Sequence, residues 1–202
     1  MIVAGLTGSI AMGKSTVASM FAEFGAPVFD ADAAVRAFYS GGGAKVVEGV
    51  FPGVVVDGRV DRERLSPIVL NDPTALGRLE ALVHPAVAAM RAQFVARAFG
   101  EGRRIAVVDV PLLFETGGDS AVDCVIVVSA PGAAQRARAL AREGMTEEKF
   151  DAILARQMSD AEKRRRAHFV IDTGGTLERT REQVAQFLRA AVGLKGQATR
   201  HA

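Results

Sequence analysis

The chain has 202 residues, 49% hydrophobic and 24% charged, which supports one domain with a real core and excludes a disordered polymer. A formal charge of +2, no Trp and a single Tyr argue against a nucleic-acid surface, which needs a basic stripe and stacking aromatics. No apolar run is long enough to cross a membrane, the apolar start lacks the basic segment of a secretory signal, and the lone Cys124 excludes an internal disulfide and a cysteine-bound zinc. The expectation is a cytoplasmic protein with no membrane or nucleic-acid partner.

Short runs rich in Val and Ile at residues 2–7, 27–29, 104–110, 124–129 and 168–171 read as strands. They are nearly continuous rather than alternating, as strands covered on both faces are. Helical patterns separate them. The first two span 14–24 and 32–39. Asp72-Pro73 supplies an N-cap and a first-turn proline for a helix to about residue 99, which Pro85 should kink. A helix over 133–143 follows the fourth strand, and Thr146 can cap another to 157. Ser159-Asp160-Ala161-Glu162 has the form of a capping box before an Arg-rich turn, and Lys163 to Arg166 read as a solvated helix end. Leu177, Val184, Phe187, Leu188 and Ala191 predict the apolar face of a last helix. Residues 193–202 carry no core pattern and should fray.

Strand–helix alternation predicts an α/β fold with a five-stranded, mainly parallel sheet and flanking helices. About 70 residues separate the second and third strands, far beyond the dozen or so that a crossover needs. The excess predicts a helical insertion over about 34–100. A smaller excess over about 138–167 predicts a lid, leaving a core of about 1–33, 101–137 and 168–192.

Gly8-Ser9-Ile10-Ala11-Met12-Gly13-Lys14-Ser15 fits G-x-x-x-x-G-K-[ST] between a strand and a helix. Such a loop closes backbone N–H groups around phosphate oxygens and aims the positive end of the next helix at them. Lys14 can reach the β/γ-phosphates, and the Ser15 hydroxyl can meet Mg²⁺. The motif reports nucleotide binding, not reaction type; a small-molecule kinase, a GTPase-like switch and an ATP-driven binding module all use it. No N/T-K-x-D base-reading motif occurs, and Asp172-Thr173-Gly174-Gly175 lies too late to be a GTPase D-x-x-G. Length and the two insertions favour a kinase.

Asp30 and Asp32 end the second strand, where ligands of open α/β sheets bind. One of the two can orient an alcohol and take its proton while the other caps the helix; the alternative is that both are caps. Asp109, after an apolar run, could meet a metal through water or bond within the loop.

Together, Gly8, Gly13-Lys14-Ser15-Thr16, Val28-Phe29-Asp30-Ala31-Asp32, Leu82-Val83-His84-Pro85, Val110-Pro111-Leu112-Leu113-Phe114-Glu115 and Val170-Ile171-Asp172 resemble the dephospho-coenzyme A kinase family. The resemblance implies a P-loop kinase core with a CoA-binding helical insertion and a lid. It also implies transfer of the ATP γ-phosphate to the ribose 3′-hydroxyl of dephospho-CoA with Mg²⁺. By the same resemblance, Asp32 is the general base and Asp30 its neighbour. Gly8, Ala11, Met12, Gly13, Lys14, Ser15 and Thr16 hold ATP, with Ser15 on the metal.

The resemblance further places His84, Pro111, Leu112, Leu113 and Glu115 at the substrate, the alternative for Glu115 being to position a lid arginine. His84 could instead brace its helix, and Leu112 and Leu113 could be ordinary core. Gln135, Arg138, Arg142 and Gln157 belong to the lid. Arg138 and Arg142, at i and i+4, would share a face that closes over phosphates, the alternative being a solvated basic face. The family usually has glycine at positions 9 and 11 and serine at 12, so Ala11 is restrained if the loop needs a positive φ there. His168 and Thr173 also depart from the usual residues, an acid and an asparagine.

Overall fold

The computed structural model describes residues 1–193, so the expected frayed tail, apart from Gly193, lies outside the described residues. The chain divides into two compact units, residues 1–29 with 95–202 and residues 30–94.

In the larger unit, β1 (Ile2–Thr7) is followed by α1 (Lys14–Glu23), and β2 (Val28–Asp30) closes this first segment. After the smaller unit come β5 (Ile105–Asp109), a 3₁₀ turn (Gly118–Ala121), β6 (Cys124–Ser129), α6 (Gly132–Leu140), α7 (Glu147–Ala155), α8 (Asp160–Arg166), β7 (Phe169–Asp172) and α9 (Leu177–Val192). The sheet order is β2-β5-β1-β6-β7. β1 is parallel to both neighbours, with Leu6 opposite Asp109 on one side and Thr7 opposite Val127 on the other.

β1, β5 and β6 are buried along their whole length, which accounts for the unbroken apolar runs. Alternate residues serve opposite faces. Ala4, Leu6, Val107 and Ile126 meet Val17, Met20 and Phe21 of α1 and Val184 and Phe187 of α9. Val125 and Val127 meet Leu113 and Phe114 on the other side.

Strand and helix ends differ from the sequence reading by one to three residues. β2, β5 and β7 run 28–30, 105–109 and 169–172, and α6 stops at Leu140 rather than continuing to 143. Leu177, expected on the buried face of α9, is 64% exposed, because it is the first residue after the Thr176 cap and lies beyond the packed stretch. Ser159 caps α8 through the Glu162 amide, but Glu162 turns outward to pair with Arg165 and Arg166 instead of completing a capping box.

The smaller unit holds α2 (Ala31–Ser40), α3 (Gly43–Val50), a hairpin of β3 (Val55–Val56) and β4 (Arg59–Val60), α4 (Arg62–Leu70) and most of α5 (Pro73–Gly100). Phe38, Val47, Phe51, Val54, Leu65 and Leu79 anchor its core. The sequence reading expected only helices here. The hairpin exists because Asp57 and Gly58 both take positive φ (49° and 75°), the conformation a two-residue type I′ turn requires. α5 remains one helix through Pro85.

Candidate active site

The loop after β1 is built from backbone. Gly13 has φ 86°, a left-handed conformation that only glycine adopts without a Cβ penalty, and it caps α1 without a side chain. The first-turn amides of Lys14, Ser15 and Thr16 therefore have no partner within the helix and no capping oxygen, the arrangement that favours an anion. Ser15 and Thr16 are exposed, whereas Met12 is buried at the loop's centre. The Met12 sulfur accepts from the Ala130 amide, and its carbonyl accepts from Thr173 Oγ1 at 2.7 Å.

Ala11 has φ 61°, inside a turn closed by the Met12 amide on the Ser9 carbonyl. A side chain at that turn position is strained. Its methyl is nevertheless buried, packed with Ala139 of α6 and Phe150 of α7. Ile10 is held on both sides of its Cα: Gln157 Oε1 accepts its amide at 3.0 Å, and Gln135 Nε2 donates to its carbonyl at 2.9 Å. Gln135 and Gln157 thus touch the loop backbone itself, which sequence reasoning did not anticipate.

Lys14 pairs with Asp109 at 2.5 Å. The register that sets Asp109 beside Leu6 brings this carboxylate to the loop. Thr7 Oγ1 donates to the Pro111 carbonyl at 3.0 Å, tying the end of β1 to the segment after β5. Within that segment Leu113 is wholly buried, whereas Leu112 is 39% exposed.

Arg138 reaches Thr173, donating to its carbonyl at 2.7 Å and its hydroxyl at 3.2 Å. Arg142 does not share its helix face, since α6 has ended at Leu140; it is exposed in the following turn. His168 Nδ1 accepts from the Val125 amide at 3.1 Å.

Glu115 and Lys163 form a buried ion pair at 2.9 Å, and Glu115 also accepts the Met158 amide at 2.8 Å. Lys163 is 0% exposed, which corrects the solvated reading of the 163–166 run: one member of four faces inward. The ion pair lies off hydrogen-bond alignment, leaving Lys163 Nζ and Glu115 Oε2 buried without a hydrogen bond. Burial lifts the Glu115 carboxyl, but the Lys163 ammonium and the Met158 amide outweigh it, so Glu115 sits below its ordinary pKa. One turn earlier on α8, Asp160 accepts from Ser129 at the end of β6 at 2.8 Å.

In the smaller unit the two acids separate. Asp30 is the N-cap of α2, accepting the Ala33 amide at 2.9 Å, and it pairs with Arg36. Asp32, in the first turn of α2, is exposed and makes no hydrogen bond among the described residues. His84 is exposed on α5, likewise without a hydrogen bond among them.

A parallel sheet with a G-x-x-x-x-G-K-S loop between its central strand and first helix defines a P-loop nucleotide-binding protein. The dephospho-CoA kinase family model matches residues 1–179. A dephospho-CoA kinase of Rhodopseudomonas palustris is 57% identical over 94% of this chain and 96% of its own. One of Mesorhizobium japonicum is 57% identical over 97% and 100%. A crystal structure from Thermus thermophilus superposes with a TM-score of 0.84 at 35% identity, covering 96% of this chain and 98% of that one. The chain belongs to the dephospho-CoA kinase family.

Proposed function

We propose that this chain transfers the γ-phosphate of ATP to the ribose 3′-hydroxyl of dephospho-CoA, releasing coenzyme A and ADP in the cytoplasm. The observation that carries the reading is the loop over residues 8–15, with unsatisfied first-turn amides above Gly13 and a lysine beside it, in a chain of this family. Gly8, Ala11, Met12, Gly13, Ser15 and Thr16 shape the phosphate cradle. Lys14 exchanges Asp109 for phosphate oxygens when nucleotide binds.

Among the described residues no group of three or more His, Cys, Asp or Glu side chains could hold a metal ion. The exposed Ser15 hydroxyl would hold a magnesium ion that accompanies the phosphates. When bound, it neutralises phosphate charge.

Asp32 serves as the general base that orients the hydroxyl and takes its proton, because its carboxylate is unengaged while Asp30 is committed to the α2 cap. Arg142 is available to neutralise charge on the transferring group, whereas Arg138 is engaged with Thr173. Leu112 and Pro111 offer apolar contact to the acceptor, Leu113 supports them from the core, and His84 offers it a polar contact. Glu115 acts by fixing α8. Residues 34–100 bind the CoA portion and residues 138–167 act as the lid.

A coupled ADP-release assay with Mg-ATP tests the proposal. Release should depend on dephospho-CoA and not on nucleoside monophosphates. Faster turnover with nucleoside monophosphates, or release indifferent to any acceptor, would refute it.

A further inference from the structure

The phosphate loop is fastened to the helices that follow β6. Ile10 presents its amide to Gln157, after α7, and its carbonyl to Gln135, on α6, at 3.0 and 2.9 Å. Next to it, the Ala11 methyl is buried with Ala139 and Phe150, with Met145 and Leu154 around them. The two helices are themselves joined, since Arg136 of α6 pairs with Glu147 and Asp151 of α7 and lies 5.4 Å from the Phe150 ring. All of these residues belong to the larger unit.

This fastening has work to do. L-Alanine disfavours left-handed backbone by about tenfold in population, so a loop with Ala11 at φ 61° relaxes toward other shapes unless something holds it. A loop that must be reshaped on binding loses apparent affinity in proportion to its unshaped fraction. The two glutamines grip the residue just before the strained one, through the two peptide groups that flank its Cα.

We infer that Gln135 and Gln157 are positioning residues for nucleotide: they hold the phosphate loop in its binding shape by bracketing Ile10, a restraint that a glycine at position 11 would need less. Their chemistry is directional. The Ile10 amide needs an acceptor, which a glutamate at 157 still provides. The Ile10 carbonyl needs a donor, which a carboxylate at 135 cannot provide.

The test measures MgADP affinity by calorimetry and, separately, the KM for ATP and for dephospho-CoA. Gln157→Leu and Gln135→Leu should each weaken MgADP binding about 3–10-fold, the worth of one hydrogen bond. The KM for ATP should rise in step, and the KM for dephospho-CoA should stay put. Gln157→Glu and Gln135→Glu add the same charge beside the same residue, yet Gln157→Glu should bind MgADP several-fold more tightly than Gln135→Glu. That asymmetry is one a general loss of stability would not produce, and it stays readable if a leucine variant fails to fold. Equal affinities for the two glutamate variants, or unchanged MgADP affinity in the leucine variants, would overturn the inference.

The kinetic arm rests on the proposed acceptor, but MgADP binding does not. No turnover with dephospho-CoA alongside the graded MgADP series would sink the acceptor alone. Intact turnover with a flat MgADP series would sink only the bracket, and a wild-type chain that binds no MgADP would sink both.

Discussion

Lys163→Met replaces a wholly buried ammonium by an apolar chain of similar length. The substitution leaves the Glu115 carboxylate with the Met158 amide as its remaining hydrogen-bond partner and Oε2 with none. Removing one member of a buried ion pair costs about 3–5 kcal/mol. Glu115 keeps 17% side-chain exposure, so water softens the loss and the low end, about 3 kcal/mol, is expected.

At this chain length that amounts to a fall of about 6–12 °C in Tm. The assay is urea unfolding followed by circular dichroism, because the chain has no Trp and one Tyr to report by fluorescence. The double variant Lys163→Met/Glu115→Leu removes both charges and should recover most of the loss. In the wild type, Glu115 titrates below its ordinary value of 4.5, so its stabilisation is complete above that value and is lost as pH falls through the folded pKa. In Lys163→Met, burial acts with less to oppose it and pushes the carboxyl upward. Its destabilisation is then relieved by protonation, and the gap to wild type should narrow as pH falls through 4.5, the variant carboxyl taking its proton above that value and the wild-type one below it. A loss below about 1 kcal/mol, or single losses that simply add in the double variant, would refute this account of the pair.

Other outcomes follow from the same geometry. Asp32→Asn should lose about 10²–10⁴-fold in turnover while still binding MgADP. Asp30→Ala should instead lose about 1 kcal/mol of stability through the α2 cap, and a reversal of these two phenotypes in paired kinetics and melts would exchange their roles. Ala11→Gly relieves about 1–2 kcal/mol of left-handed strain but gives up a buried methyl worth about 0.8 kcal/mol and loosens the unfolded chain. Its net stability change in urea should therefore stay within about 1 kcal/mol, and a larger shift in either direction would contradict that balance. Burial, helped by Asp123, pushes the Cys124 thiol up to about 11. Native protein should resist alkylation at mildly alkaline pH and react readily only once unfolded; fast native labelling would refute the assigned burial.

Local patterns told most of the fold. The strand runs were readable because both faces of the central strands are covered, and the helix caps at Asp72, Thr146 and Ser159 use side chains whose spacing is visible in the chain. The Asp57-Gly58 turn was equally visible, yet its two flanking strands are two residues long and vanish inside a helical stretch. The exposed Leu177 shows the reverse error, since periodicity does not say where a packed face begins.

The chain's own order of residues settled the phosphate loop, because its chemistry is carried by backbone amides, glycine torsions and a lysine within eight consecutive positions. It also flagged Ala11, whose Cβ conflicts with positive φ wherever it occurs. It could not say that Lys163 turns inward while its three arginine neighbours do not, or that Arg142 falls beyond the helix that holds Arg138. Nor could it say that Gln135 and Gln157 meet on one residue, Ile10, 125 and 147 residues away along the chain. Those are facts of packing: which face of a short helix lands on the sheet depends on partners brought together from distant strands, and no local spacing encodes that meeting.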